Sequence, residues 1–274
     1  MLILYEFGNS VACQKVRLAL CEKGLKWESR PVDLFRSEQY EPEYLKLNPQ
    51  GLVPVLVHEG RPIVESTLIN EYIDEVFPVP RLMPADVYER VRMRLWSKTV
   101  DEGLQEGVSE ISFSAMFRDR LKGMPEKLRG ARFRNIGDPR RRDRCVAAYE
   151  LGVESPYVQW AIAAFERAFD SIDHTLGRRG NWLAGDAFSL AEISLMPYLA
   201  RLEYLNLLDI WIGNRPGVLG WWARCKGRAS FGAAIADPLT QQERDEMDVS
   251  GTRIRARVRE LRATLKSVAN EPTA

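Results

Sequence analysis

The sequence is poor in the residues from which many enzymes build metal sites and nucleophile sites. Its 274 residues include only two histidines, His58 and His174, and four cysteines. The cysteines are widely spaced and form no Cys-x-x-Cys pair, so we expect reduced thiols. With two histidines, a histidine-rich metal site and a serine–histidine triad are both disfavoured.

Long apolar runs and an excess of one charge are also lacking. No run of 18 apolar residues occurs, and no charged leader precedes the first apolar run, which begins at Leu2. Lys and Arg number 39 and Asp and Glu 38, so the net charge is near +1 and does not indicate a nucleic-acid or membrane partner. These features predict a cytoplasmic globular protein of one or two domains.

The first 80 residues alternate between short apolar runs and helical spacing. Strands are predicted at 2–5, 27–32, 55–57 and 61–64, helices within 12–20 and 68–76, and an irregular stretch at 40–47. The last two strands flank Glu59-Gly60 and form a predicted hairpin. The order βαβ, helical segment, ββα is typical of an α/β fold of the thioredoxin type.

Beyond a proline-containing linker at 78–86, strand patterns vanish. Apolar residues from Val158 to Leu176 recur at steps of four and three, which predicts a helix with one continuous apolar face. Ser189 and Glu192 have the spacing of a helix capping box, and 254–268 is a further amphipathic helix. We therefore expect an α/β domain at 1–80, an all-α helical bundle at 87–240, and a C-terminal helix and tail at 241–274.

A basic insertion is predicted in the helical domain near 113–156. Its central part, 118–144, holds eleven Lys and Arg but only four Asp and Glu. One interpretation is a lid over a substrate pocket or an anion-binding patch. The other, which we favour, is a solvated and partly mobile loop.

The turn Val53-Pro54 is the first motif with chemical content. A proline at the start of a strand suits a cis bond in a tight turn, which would expose the backbone of Val53 to an extended peptide. Alone, the motif is equally consistent with an ordinary loop proline.

Glu65-Ser66 stands where a strand ends and a helix begins. Ser66 is a predicted N-cap, the free amides of the helix start favour a carboxylate, and Glu65 offers a partner for an ammonium group. This pair of charges matches the zwitterionic γ-glutamyl end of glutathione, although plain helix capping explains the motif in isolation.

Ser10 lies between the first strand and the first helix. A hydroxyl at a helix N-terminus can donate to a thiolate and lower its pKa. Cys13, one turn further on, is a candidate for a thiol-based reaction, and its alternative role is packing beside the site. Each of these motifs is weak alone, and their joint order and spacing is the strong signal.

Taken together, the motifs resemble the N-terminal domain of cytosolic glutathione transferases, and Ser189-x-x-Glu192 resembles the capping motif of that family's helical domain. The resemblance covers about residues 1–240. It rests on Tyr5, Ser10, Val16-Arg17-Leu18-Ala19-Leu20, Asn48-Pro49-x-Gly51-x-Val53-Pro54 and Glu65-Ser66. It implies that Ser10 is the catalytic serine. The glutathione-binding residues that it implies are Ser10, Gln39, Tyr40, Leu52, Val53, Pro54, Glu65 and Ser66.

Two groups of relatives are suggested by the second half. Segments 94–102 and 108–111 resemble bacterial β-etherases, whereas 201–206, 215–216 and 230–231 resemble zeta-like proteins and reductive dehalogenases. Zeta-like enzymes carry a cysteine two residues after the serine, where this chain has Ala12.

The resemblance implies a homodimeric glutathione transferase with glutathione as co-substrate and no metal. The glutathione thiol is expected to attack a hydrophobic, aromatic electrophile, either in conjugation or in β-aryl ether cleavage. Two alternatives remain open at this point. One is a Cys13-dependent thiol transferase or deglutathionylase, and the other is a non-catalytic binding module with the same fold.

Overall fold

The computed structural model describes residues 1–269, which form two compact units. Unit 1 comprises Met1–Val100, Thr175–Ala200 and Gly220–Thr240, and unit 2 comprises Asp101–His174, Arg201–Leu219 and the chain from Gln241. The division at 80, 87 and 240 remains a prediction, and the expected tail at 270–274 lies outside the described residues.

A four-stranded sheet lies in unit 1. The strands are β1 (Leu2–Glu6), β2 (Glu28–Pro31), β3 (Val55–His58) and β4 (Arg61–Ile63), in the order β2-β1-β3-β4. β1 pairs with β2 in parallel and with β3 in antiparallel, and β3 and β4 form the predicted hairpin. Leu4 and Leu56, which face each other across β1 and β3, are fully buried, so the sheet forms part of the core of this unit. The predicted α/β domain of thioredoxin type is confirmed.

Helices make up most of the remaining chain. They are α1 (Val11–Glu22), α2 (Pro42–Leu47), α3 (Ser66–Val76), α4 (Val87–Thr99), α5 (Gln105–Ser112), α6 (Arg118–Lys122), α7 (Glu126–Arg134), α8 (Pro139–Leu151), α9 (Pro156–Arg179), α10 (Leu190–Tyr204), α11 (Asp209–Ile212), α12 (Pro216–Lys226), α13 (Ala229–Phe231) and α14 (Gln241–Ala269). Within the described range no strand follows β4, as the sequence predicted. No described helix is long and apolar enough to cross a membrane.

The helical segment predicted before the hairpin is present, and the basic segment predicted as a loop is helical as well. The stretch 40–47 contains α2, which has six residues and buries only Tyr44, too few for a periodic apolar signal. The basic segment 118–144, which we expected to be a loop, forms α6, α7 and part of α8. Its arginines find tertiary partners: Arg118 Nε donates to the Tyr149 carbonyl at 2.8 Å, and Arg144 pairs with Glu106 at 2.8 Å. Such partners cannot be read from local sequence.

The predicted capping box is present at the start of α10. Glu192 Oε2 accepts from the Ser189 amide at 3.0 Å, and the Ala191 amide donates to Ser189 Oγ at 3.1 Å. Glu192 Oε1 also accepts from the Leu183 amide at 2.7 Å. The buried carboxylate therefore fixes the preceding loop as well as the helix end.

Candidate functional site

Ser10 occupies the N-cap of α1, where β1 turns into the helix. Its amide donates to the Phe7 carbonyl at 3.0 Å, and its Oγ accepts from the Cys13 amide at 3.4 Å. The side chain is half-buried, so a ligand can reach it. A hydroxyl at the positive end of a helix is suited to stabilise an anion.

The loop that carries Ser10 is held by Arg17, which was not predicted as a site residue. Arg17 is buried, forms an ion pair with Glu6, and donates to the carbonyls of Gly8 and Ala234, both at 2.8 Å. A guanidinium with three fixed acceptors restrains the loop through Gly8. The signal for this residue was a charge on an otherwise apolar face of α1.

Cys13 is fully buried, and its Sγ accepts from the Phe7 amide at 3.4 Å. Burial raises the pKa of its thiol to about 11, and the opposing effects of Ser10, the Phe7 amide and Arg17 are smaller. The thiol is therefore protonated at neutral pH. All four cysteines are free, and burial raises the pKa of the other three as well.

The Val53-Pro54 turn is built to leave one backbone unit open. The peptide bond is cis, as predicted. The Leu52 carbonyl accepts from Asn48 Nδ2 at 2.9 Å and from the Tyr44 hydroxyl at 2.6 Å, which anchors the turn. Within the part of the chain that the structure describes, the N–H of Val53 donates no hydrogen bond and its C=O accepts none. They are therefore free to pair with an extended peptide.

Gln39 and Tyr40 lie in a short 3-10 turn, Glu38–Tyr40, beside the Val53 turn. A Cβ atom placed on Gly51 would lie 2.6 Å from the Tyr40 ring and 3.2 Å from the Gln39 carbonyl, and Gly51 has a φ of +62°. Gln39 is 4% exposed, and its Oε1 has no hydrogen-bond partner among the described residues. A buried amide oxygen without an internal partner is a group that a bound ligand can satisfy.

Glu65, not Ser66, occupies the N-cap position of α3. The prediction for Ser66 was wrong by one residue, because the first helical hydrogen bond runs from the Ile69 amide to the Glu65 carbonyl at 2.8 Å. Glu65 is exposed and has a φ of 67° and a ψ of 107°. Backbone strain of this kind costs about 1–3 kcal/mol and is concentrated at functional sites. The Ser66 N–H donates to no acceptor among the described residues.

A buried lysine that no sequence motif indicated lies beside the start of α3. Lys15 of α1 is fully buried, and its Nζ donates to Thr67 Oγ1 at 2.7 Å. Asn70 of α3 donates to the Lys15 carbonyl at 3.2 Å, and its buried Oδ1 has no partner within the described residues. The ammonium group adds positive charge next to the amides at the start of α3, which favours an anion there.

Comparisons with known proteins agree with this architecture. The model of the glutathione S-transferase N-terminal domain matches residues 9–76, and that of the C-terminal domain matches residues 115–224. Protein LigF of Sphingobium sp. (strain NBRC 103272 / SYK-6) is 43% identical in an alignment 259 residues long that covers 89% of this chain and 95% of LigF. The tetrachloro-p-hydroquinone reductive dehalogenase of Sphingobium chlorophenolicum is 30% identical in an alignment 247 residues long that covers 86% of this chain and 96% of that protein.

The crystal structure of the β-etherase LigF from Sphingobium sp. strain SYK-6 superimposes with a TM-score of 0.76 and 27% identity. The superposition covers 86% of this chain and 99% of that chain.

A thioredoxin-like sheet domain joined to helices, with an N-capping serine and an open Val-Pro turn, defines a glutathione-dependent enzyme. The chain belongs to the glutathione S-transferase family. It uses glutathione as its co-substrate. The Cys13-based and non-catalytic alternatives are not favoured by these relatives. Among the described residues, no cluster of His, Cys, Asp or Glu could hold a metal ion.

Proposed function

We propose that the chain cleaves β-aryl ethers with glutathione. The observation that carries this proposal is the 43% identity to LigF, a β-etherase, over 95% of that protein's length. When glutathione is bound, its sulfur forms a bond to the ether carbon, the carbon–oxygen bond breaks, and the aryl oxide leaves with the electron pair. Simple conjugation of an aromatic electrophile is the second candidate, supported by the plant glutathione S-transferase 1 of Dianthus caryophyllus, 31% identical over 197 residues.

The residues that hold glutathione in this proposal lie in unit 1. The free N–H and C=O of Val53 pair with the tripeptide backbone, with Leu52 and Pro54 holding the turn. Glu65 accepts from the γ-glutamyl ammonium, and the Ser66 amide donates to the adjacent carboxylate. Gln39 and Tyr40 contact the glycyl end.

Ser10 stabilises the thiolate in this proposal, and Cys13 does not. The Ser10 hydroxyl stands at the N-terminus of α1 and is half-buried, whereas the Cys13 thiol is fully buried with a pKa raised to about 11. Lowering a thiol pKa by about two units requires about 2.7 kcal/mol, within the range of a few charge-assisted hydrogen bonds. Ser10 therefore acts on the reactivity of the glutathione sulfur, and Cys13 packs behind it.

Kinetics of Ser10→Ala and Cys13→Ala test this assignment. We expect Ser10→Ala to lower turnover by about 10- to 1000-fold, the equivalent of about 1.4–4 kcal/mol, and to raise the kinetic pKa of the thiol. Cys13→Ala should keep most of the activity. The opposite pattern, with Cys13→Ala inactive and Ser10→Ala nearly normal, would favour the thiol-transferase mechanism.

Assays with two different substrates distinguish ether cleavage from conjugation. A phenacyl ether with a 4-nitrophenolate leaving group reports cleavage by its colour, and 1-chloro-2,4-dinitrobenzene reports conjugation. We expect release of nitrophenolate that depends on both glutathione and Ser10. Turnover of the chloroarene with no turnover of the ether would select the conjugation function.

We propose in addition that the protein is a homodimer. Four apolar side chains on α3 and α4 are exposed in the chain as it stands: Leu68 by 59%, Val87 by 67%, Val91 by 49% and Leu95 by 57%. The last three recur every four residues and form one stripe, as a helix face that packs on a partner does. Analytical ultracentrifugation should show a dimer that Val91→Glu dissociates, whereas Leu219→Glu, at another exposed leucine, leaves it intact.

A cytoplasmic location is also part of the proposal. The four cysteines are all free, which suits a reducing compartment. Cell fractionation with an antibody against the chain tests this placement.

A further inference from the structure

An open cavity lies at the surface of unit 1. It has a volume of about 510 Å³, which is in the range of small-molecule sites. Its lining comes from the end of α1, the loop before α10, and the segment from α12 to α13. The lining residues are Cys21, Glu22, Trp182, Arg224, Gly227, Arg228, Ala229 and Ser230.

This cavity is separate from the glutathione site. Ser10 caps the N-terminus of α1, whereas Cys21 and Glu22 are its last two residues. A helix of 12 residues is roughly 16–18 Å long at about 1.5 Å per residue. The two sites therefore lie at opposite ends of the same helix, and one small ligand cannot occupy both.

One of the two arginines in the lining is already neutralised. Arg228 forms two hydrogen bonds with the carboxylate of Glu22, at 2.7 and 2.6 Å. Ser230 Oγ donates to the same carboxylate at 2.5 Å. With its oxygens used in this way, Glu22 has little capacity left for a second cation.

Arg224 is the cation that remains. Its Nη2 donates to the neutral Asn181 carbonyl at 3.0 Å, and within residues 1–269 no carboxylate pairs with it. Its guanidinium lies 5.8 Å from the centre of the Trp182 ring, which contacts Phe188 edge to face. The cavity thus offers one unneutralised cation beside an aromatic wall, and its charged lining residues sum to one positive charge.

We propose that this cavity binds an aromatic monocarboxylate. The carboxylate pairs with Arg224 in place of solvent, because a guanidinium binds a carboxylate through two parallel hydrogen bonds. The ring packs beside Trp182 and the Cys21 side chain, and the small residues Gly227 and Ala229 leave room for it. The site is independent of the glutathione site and of the second substrate.

Binding of 2-naphthoate to the full chain tests the proposal, with uncharged 2-naphthamide as the matched control. Equilibrium dialysis should detect naphthoate binding that glutathione does not displace and that naphthamide does not reproduce. Arg224→Gln should weaken binding by about 2- to 5-fold, the range for an ion pair at an exposed arginine. Arg140→Gln, at an exposed arginine outside the cavity, should have no effect.

Thiol modification locates the ligand in the unaltered chain. Cys21 lines the cavity and Cys145 does not, and both are half-buried. Saturating naphthoate should slow alkylation of Cys21 by N-ethylmaleimide, measured by peptide mass spectrometry, while Cys145 reacts at its usual rate. Absence of binding, equal binding of the amide, displacement by glutathione, or equal reactivity of Cys21 with and without naphthoate would each overturn the proposal.

Discussion

Glu110 provides a sharp test of the electrostatics of unit 2. This residue of α5 is 5% exposed, and its Oε2 has no hydrogen-bond partner among the described residues. The nearest cation, Arg144, lies 3.8 Å from Oε1 and is engaged at 2.8 Å by Glu106. Burial therefore outweighs the attraction of Arg144 and raises the pKa of Glu110 from 4.5 to about 7.

The direction of the pH effect follows from this shift. The folded protein holds the Glu110 proton more tightly than the unfolded chain does. The free energy of unfolding therefore falls as the pH rises from about 4.5 through 7, because ionisation of Glu110 then favours the unfolded chain. At about 1.4 kcal/mol per pKa unit, the cost is about 1 kcal/mol at pH 5 and about 3 kcal/mol at pH 8. Glu110→Gln keeps the shape and removes the ionisation. We therefore expect its stabilising effect to grow by about 2 kcal/mol between these pH values.

Urea unfolding at pH 5, 6.5 and 8 measures this difference directly. Glu126→Gln is the matched control, since Glu126 is an exposed glutamate that lies outside the Arg144 ion pairs. Its effect should vary little with pH. A Glu110→Gln variant that is less stable than the parent protein at pH 8 would show that Arg144 compensates the buried charge, and would refute the reasoning.

Further predictions concern the glutathione site, one glycine and the basic segment. Glu65→Ala should weaken glutathione binding by about 1–3 kcal/mol in calorimetry, whereas Glu59→Ala, at an exposed glutamate that also has positive φ, should not. Gly251→Ala should lower the unfolding free energy by about 1–3 kcal/mol, because its Cβ would lie 1.8 Å from the Leu205 carbonyl oxygen. A Cβ atom added at Gly177 would meet no atom within 4 Å, so Gly177→Ala should be neutral or slightly stabilising in the same denaturation assay. Amide exchange followed by mass spectrometry should be faster in α7, which buries no side chain, than in α9, and equal protection would reject mobility of the basic segment.

The sequence predicted those elements whose signals are local. Apolar periodicity identified β1, the β3–β4 hairpin and α9, and the spacing of Ser189 and Glu192 identified the cap of α10. The failures have a different origin. A helical segment was predicted before the hairpin, but its bounds were not, because α2 is too short to show a period. The helices of the basic segment depend on partners distant in sequence, such as the Tyr149 carbonyl for Arg118.

The candidate site shows the same contrast. The positions of Ser10 and the Val53-Pro54 turn could be predicted, because each sits at a recognisable junction between elements. The register of the α3 cap could not, since it depends on the unusual φ of Glu65. Lys15 was hidden because a lysine in an apolar helix segment acquires its meaning only when α3 packs against it.

The hydrogen bond from Arg17 to the Ala234 carbonyl has a consequence for chimaeras built from related chains. The contact joins the loop of Ser10 to a carbonyl 217 residues further along the chain. A fragment cut at the linker, or a chimaera that takes its first 80 residues from one protein and the rest from another, loses or replaces that acceptor. The loop also reaches its final state only after residue 234 has been synthesised. Recombination between relatives is therefore expected to preserve reactivity when the segment around Ala234 travels with the N-terminal domain.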